Sequence, residues 1–184
     1  MASITLSTFR APAPIRASTA FVQPGAISVR SKLGYNGSSP TLQAGRETLR
    51  LVMPAMELRR SDGLLATLNL LGMMQERTVK IAGVRVPQSN VVMVRSVAIG
   101  EPRATDSTMA GVPVPVPGRR ASISMARPDG SLVRVTPSPR VFGDEVDDVL
   151  MMLRSLGKGQ VPTTLSGFHD GTGFTVTGIE AKAP

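Results

Sequence analysis

Glycine and proline are spread along this chain and limit the length of its regular elements. The 184 residues include 18 Gly and 15 Pro, a share above the ~12% of an ordinary protein and below the ~25% that marks a low-complexity chain. Because proline ends helices and is excluded from central strands, we expect an ordered core with long loops. The length is that of one domain.

The chain offers few side chains that carry out catalysis or bind metals. It has no Cys and one His, which excludes disulfides, thiolate zinc sites and multi-histidine metal sites. His169 adjoins Asp170 in a glycine-rich segment, where such a pair would suit acid–base chemistry beside a nucleophile. A hairpin turn is the favoured interpretation, because neighbouring loop residues do not orient one another as catalysis requires. We therefore predict a non-enzymatic protein that needs no cofactor and no metal.

The N-terminal region lacks acidic residues. Residues 1–46 contain no Asp or Glu, dispersed basic residues and many Ser and Thr, a composition typical of organellar transit peptides. The opening Met1-Ala2-Ser3 and the motif Ala20-Phe21-Val22 resemble plastid import signals. We expect a disordered targeting segment over residues 1–53, cleaved between Arg46 and Met56, and a mature protein in the plastid stroma or on the stromal side of the thylakoid. The alternative is a disordered arm that stays attached.

Most of the net charge of +8 falls in this N-terminal region, and Pro54–Pro184 holds 15 basic and 12 acidic residues. The remaining basic residues are dispersed and few aromatic residues lie among them, which disfavours nucleic acid as a partner without excluding it. No apolar stretch reaches the ~20 residues of a membrane span. We expect no integral span, while peripheral membrane association stays open.

Residues 54–110 are predicted to form a helix followed by a β-hairpin. Apolar residues at helical spacing predict an amphipathic helix over residues 62–76, with Ser61 as its N-cap. Its apolar face serves either as core, the favoured interpretation, or as a partner-binding surface made of Leu64, Leu68, Leu71, Met73 and Met74. Two β-rich runs follow, Thr78–Val86 and Val91–Ile99, separated by a short loop.

Residues 111–119 alternate valine with proline. Proline lacks a backbone N–H and favours polyproline II, so this segment is predicted to be a stiff connector between two halves. A ligand for a proline-recognising groove is the alternative.

Residues 120–184 are predicted to form a hairpin, a helix and a final strand. Pro128-Asp129-Gly130 presets a tight turn, and apolar spacing after Asp144 indicates a helix that ends near Gly157. The fold class is therefore α+β, a small antiparallel sheet of hairpins packed on two short helices.

A basic motif precedes the hairpin. Arg119-Arg120-Ala121-Ser122 has the form of a basic-directed phosphorylation site, where phosphate would add about −2 charge beside two guanidinium groups. Arg119 and Arg120 are also candidate partner-binding residues, and Ser122 is the candidate phosphosite. The alternative is that Ser122 is a structural residue that begins a strand.

The C-terminal third resembles the small terminal domain of phycobilisome linker polypeptides. The resemblance rests on the hairpin Arg120–Thr136, on Arg140-Val141-Phe142, on the helix that follows and on Leu156-Gly157-Lys158-Gly159. It implies a colourless, non-enzymatic antenna linker.

Three classes of function are therefore open. A structural or assembly subunit of a plastid complex, associated with thylakoid or antenna, is favoured. The alternative is a plastid RNA- or ribosome-associated protein, whose arginines should converge on one face. Third is a small enzyme built around His169 and Asp170.

Overall fold

The computed structural model describes residues 25–36, 39–55, 58–74, 78–118 and 122–183. The predicted α+β class is confirmed, with strands as the dominant elements. The strands are β1 Ala26–Tyr35, β2 Pro40–Ala44, β3 Glu47–Val52, β4 Thr78–Arg85, β5 Val91–Gly100, β6 Ser107–Pro115, β7 Ile123–Ala126, β8 Leu132–Pro137, β9 Thr163–His169 and β10 Phe174–Lys182. The α-helices are α1 Leu58–Met73, α2 Pro139–Phe142 and α3 Val146–Lys158.

The first five strands close into a barrel. β1 pairs antiparallel with β2 and β4, β2 with β3, and β4 with β5. The parallel pair β3–β5 completes the ring, and α1 connects β3 to β4.

The last five strands repeat this connectivity. β6 pairs antiparallel with β7 and β9, β7 with β8, and β9 with β10. The parallel pair β8–β10 closes the ring, and α3 lies between β8 and β9 in the chain. A five-stranded Greek-key barrel of this order, with its helix between the third and fourth strands, is an OB-fold. The chain therefore contains two OB barrels, and each strand of the second begins 81 to 85 residues after its counterpart in the first.

The two barrels also share their irregularities. The β4–β5 register shifts at Ala82/Gly83 and the β9–β10 register shifts at Val176/Gly178, so Arg95 and Thr177 are equivalent bulge residues. Opposite them lie Gly83 and Gly167. A Cβ atom at Gly83 would lie 2.4 Å from the carbonyl oxygen of Met93, and one at Gly167 would lie 1.9 Å from that of Thr175. Glycine is required at both positions because the neighbouring backbone approaches too closely for a side chain.

The barrels are joined through β5 and β10, which pair antiparallel. Behind this pair, α1 and α3 pack on each other and on the inward side chains of both strands. The helices approach closely where a Cβ atom at Gly63 would lie 2.7 Å from the Cα of Gly159. One continuous apolar core results, with Leu64, Leu68, Leu153 and Leu156 fully buried within it.

The expected boundary of the targeting segment is wrong in part. Residues 26–35, 40–44 and 47–52 form β1, β2 and β3 of the first barrel, with Leu42, Leu49 and Leu51 in its core. A Ser/Thr-rich composition suits strands as well as transit peptides, and the alternating Ile27, Val29 and Leu33 belong to a strand. Residues 1–24 lie outside the described residues.

The expected connector at 111–119 is also a strand for most of its length. β6 pairs with β9 from Ser107 to Gly111 and with β7 from Val112 to Pro115. Val116 donates its N–H to the carbonyl of Ser122 at 3.2 Å, and strand alternation directs the N–H groups of the preceding valines to the same side. The nitrogen atoms of Pro113 and Pro115 therefore point to the edge of β6 that faced β9, where pairing has ended at Gly111. No backbone N–H is needed at that edge.

The remaining elements follow the sequence predictions closely. The hairpin β4–β5, the hairpin β7–β8 with its turn at Pro128-Asp129-Gly130, and the helix after Asp144 are confirmed. α1 begins at Leu58, so Ser61 lies inside the helix and is not its N-cap. The small sheet expected to lie on two helices is instead two closed barrels.

Candidate nucleic-acid interface

A row of outward-facing residues crosses six neighbouring strands from one barrel to the other. Each residue of the row is the direct cross-strand partner of the next, through the pairs β1–β4, β4–β5, β5–β10, β10–β9 and β9–β6. The row consists of Arg30, Lys80, Ala98, Glu180, Thr164 and Ala110. At about 4.8 Å between strands, it spans about 24 Å.

A shallow groove of mixed polar and apolar lining lies along this row, on the face of β5 and β10 opposite the helices. It has a volume of about 380 Å³. Besides Arg30, Lys80 and Glu180, it is lined by Ile99, Pro102 and Ile179 and by residues no larger than threonine: Ser28, Thr78, Ala82, Ser96, Ala98, Gly100, Thr164, Ser166 and Gly178. Past Arg30 and Gly100 it continues into a wider depression of about 710 Å³ that contains Arg103 and Arg140. We call these two connected depressions the seam groove.

The charge of the seam groove is uneven. Arg30 and Lys80 are direct cross-strand neighbours, and like charges in that position destabilise a sheet. β1, β4 and β5 contain no Asp or Glu. Across the seam, Glu180 faces Lys182, their side-chain charges 3.8 Å apart. The first-barrel end of the groove therefore favours a bound anion.

The wider depression is of mixed charge. Besides Arg103 and Arg140, it is lined by Glu101, Asp144 and Glu145. The cationic character of the seam groove is therefore strongest at Arg30 and Lys80.

Basic charge is concentrated in the first barrel. Residues 25–100 contain ten Lys and Arg against four acidic residues, whereas residues 101–184 contain nine of each. Most of the excess positive charge was expected to lie in a targeting segment. It lies instead mainly in the folded first barrel.

Exposed aromatic rings flank the loops that OB-folds use for binding, those between the first and second and between the fourth and fifth strands. Of the four Phe and Tyr side chains within the described ranges, Tyr35 and Phe168 are exposed, by 51% and 47%. Tyr35 ends β1 before the first such loop of barrel one, and Phe168 lies just before the β9–β10 loop of barrel two. Phe168 also lines a depression of about 250 Å³ that it shares with Arg103 and Arg140.

The His169 and Asp170 pair forms a turn. The His169 ring packs edge-on against Phe174, with centroids 5.1 Å apart. The Asp170 carboxylate accepts hydrogen bonds from the Thr175 hydroxyl, from the hydroxyl and N–H of Thr172 and from the N–H of Gly173. These contacts, led by the Thr175 hydroxyl, lower the pKa of Asp170 to about 2. The carboxylate therefore holds the β9–β10 loop in shape.

The partner-binding face predicted on the first helix is wrong for four of its five residues. Leu64, Leu68, Leu71 and Met74 are buried in the core, while Met73 is 65% exposed. The reason is that α1 packs between the barrel and α3, which covers this face completely.

The basic motif lies between β6 and β7, the position of the first binding loop of the second barrel. Arg119 and Arg120 fall outside the described residues. Ser122 is half-buried and its carbonyl accepts the N–H of Val116.

The duplication, and with it the seam groove, is not apparent from the sequence. Two weak signals were present: Leu71-Gly72 near the end of α1 matches Leu156-Gly157 near the end of α3, and Ala82-Gly83 matches Ser166-Gly167. The repeats differ at most other positions.

Within the described ranges, no helix has the length and apolar character needed to cross a membrane. In the same part of the chain, no group of three or more His, Asp and Glu side chains is placed to hold a metal ion. No family model matches this chain, and neither a curated protein nor a solved structure matches it. The OB assignment therefore rests on strand order and connectivity.

Proposed function

We propose that this chain is a non-enzymatic, single-stranded-nucleic-acid-binding protein of the plastid. The observation that carries the proposal is the joining of two OB barrels so that the cationic face of the first lines the seam groove. An exposed aromatic ring of the second barrel, Phe168, lines the adjoining depression, which shares Arg103 and Arg140 with the seam groove. OB barrels host several functions, so the argument depends on these surface residues.

Phosphates and bases need different partners, and both kinds are exposed here. Lys and Arg neutralise phosphates and release counterions, a role open to Arg30 and Lys80. Aromatic rings stack on unpaired bases and contribute about 1–3 kcal/mol per base, a role open to Tyr35 and Phe168. A duplex hides its base faces, so this combination favours a single strand.

The plastid location rests on the residues that precede the first barrel. Residues 1–24 contain Arg10 and Arg16 and no acidic residue, which is the composition of an organellar targeting peptide. We propose that this segment directs the protein to the stroma, and that processing occurs before β1.

Binding is tested with fluorescent oligo(U) and oligo(dT) of about 30 nucleotides, long enough for two OB barrels, against a duplex of equal length. We expect preference for single strands. Four groove cations, Arg30, Lys80, Arg103 and Arg140, predict a slope of log K against log salt of about −3. Phe168→Ala should weaken binding about fivefold or more, and Met73→Ala, an exposed residue on α1, should not. Equal affinity for the duplex would contradict the proposal.

A second candidate is the assembly subunit of a plastid complex. Leu58, Leu65 and Met73 are exposed on α1 by 78%, 37% and 65% and recur at roughly helical spacing, which makes an apolar stripe available to a protein partner. The test is fractionation of intact plastids after nuclease treatment. Thylakoid association that survives nuclease and is lost in Leu65→Lys supports this candidate, and release by nuclease supports nucleic-acid binding.

A further inference from the structure

We infer that one nucleic-acid strand crosses both barrels along the seam groove, with its phosphates at Arg30 and Lys80, and continues past Arg103 and Arg140 to the adjoining depression, where a base stacks on Phe168. This inference rests on the proposed function and assigns a path to the ligand. The path differs from two separate sites on the two barrels, because β5 and β10 join the barrels into one sheet surface.

The shape of the seam groove suits a sugar–phosphate backbone. Most of its lining residues are Gly, Ala, Ser and Thr on adjacent strands, among them Ser96 and Gly178. Small side chains let a ligand approach the sheet closely, and the hydroxyl groups of Ser28, Ser96 and Ser166 are donors for phosphate or sugar oxygens. The row of about 24 Å is long enough for several nucleotides.

Electrostatics place the phosphates at the first-barrel end. Arg30 and Lys80 repel each other across β1 and β4, and an anion lying between them would relieve this repulsion. Their counterparts in the second barrel, Ala110 and Thr164, are neutral. The two ends of the row therefore differ in charge, with cations at one end and neutral side chains at the other.

Glu180 lies in the middle of the row. Removing its charge should change binding affinity in the direction opposite to the removal of Arg30 and Lys80. Its carboxylate repels phosphate, and Lys182 compensates only part of this charge at 3.8 Å. Removing the carboxylate should therefore strengthen binding if the strand passes here, and should leave binding unchanged if the strand lies elsewhere.

The experiment measures oligo(dT) affinity of the full chain at several salt concentrations, with about 8 and about 24 nucleotides. In the double variant Arg30→Gln/Lys80→Gln, we expect the salt slope for the longer strand to change from about −3 to about −1.5, with about tenfold weaker binding at low salt. Glu180→Gln should strengthen binding about twofold to threefold. The control is Lys158→Gln, which removes an exposed cation from α3 on the opposite face. Circular dichroism confirms that each variant is folded.

Photo-crosslinking gives an independent measurement of the path. An oligonucleotide with photoreactive thymine analogues at both ends, bound one to one, should crosslink to peptides from β4 and from β9 in the same complex. If the strand binds but the groove variants behave as Lys158→Gln does and crosslinks map elsewhere, the inferred path is wrong and the proposed function stands. If no single strand binds, the proposed function itself is wrong.

Discussion

Ala98 of β5 lies directly opposite Glu180 of β10, and each of these residues is the counterpart of the other in the duplicated barrel. Both follow the β-bulge of their barrel by three residues, Arg95 in one and Thr177 in the other. A local twofold axis therefore passes between them. The backbone obeys this symmetry and the side-chain charge does not, because the first-barrel half of the row is cationic and the second is not.

This asymmetry predicts that a cation added beside the twofold axis strengthens the binding of a nucleic-acid strand. Ala98→Lys would place a third cation beside Lys80 and opposite Glu180, and oligo(dT) affinity should rise about threefold with a salt slope steeper by about 0.7. Met73→Lys adds the same charge on the exposed side of α1 and is the matched control. Fluorescence anisotropy measures both, and an equal gain in the two variants would indicate a general charge effect.

The glycines opposite the bulges should resist substitution equally. Gly83→Ala and Gly167→Ala each force a methyl group into a backbone carbonyl on the neighbouring strand, so we expect a loss of about 2–4 kcal/mol in the free energy of unfolding. The conservative change Ala82→Ser, at a half-buried neighbouring position, should cost less than about 1 kcal/mol. Urea denaturation measures these losses. Tolerance of alanine at either glycine would contradict the close approach of the strands.

The turn at Asp170 should contribute stability that depends on pH. Hydrogen bonds lower the pKa of Asp170 from 3.8 to about 2, so the ionised carboxylate stabilises the folded state above about pH 4, and this contribution is lost as the pH falls toward 2. Asp170→Ala should therefore unfold more easily than the parent chain at pH 7, with a difference that narrows in acid. Thr175→Val, which removes the leading donor, should have a smaller effect of the same sign. A difference that is independent of pH would contradict this role.

The revised boundary of the N-terminal segment makes a direct prediction. A chain that begins at Gly25 retains every strand of the first barrel and should unfold at the same denaturant concentration as the full chain. A chain that begins at Pro54 lacks β1, β2 and β3, which leaves α1, β4 and β5 without the strands that they contact, and should not fold cooperatively. Sequencing of the protein from plastids should find its N-terminus at or before Gly25, and a terminus between Arg46 and Met56 would contradict the fold.

Local sequence patterns determined most elements of the second half. Pro128-Asp129-Gly130 specifies a turn through backbone preferences that need no tertiary contact, and Gly130 adopts the expected positive φ of 81°. The apolar spacing of Val149, Leu153 and Leu156 likewise identifies the buried face of α3. The absence of Cys and the single His exclude disulfides, thiolate zinc sites and multi-histidine metal sites from the sequence alone.

Tertiary structure decided what these elements build. The valine–proline alternation at 112–115 has the local preferences of an extended connector. It can form a strand because β9 no longer pairs with β6 there, so the missing N–H groups of the prolines leave no acceptor unpaired. Ser/Thr-rich residues 26–52 are ambiguous between a targeting peptide and strands, because hydroxyl side chains suit both, and the ring closed by β3 and β5 decides between them.

The candidate site was the least predictable part of the molecule. Arg30, Lys80, Glu180 and Phe168 are far apart in the chain and belong to no local motif, so spacing alone could not group them. The sequence by itself determined most elements of the second half, their buried faces and the scarcity of catalytic groups, because all of these depend on nearby residues. Only the long-range pairing of strands placed Arg30, Lys80 and Glu180 along one groove, with Phe168 in the adjoining depression, because strand register is a property of the closed barrels and not of any single segment.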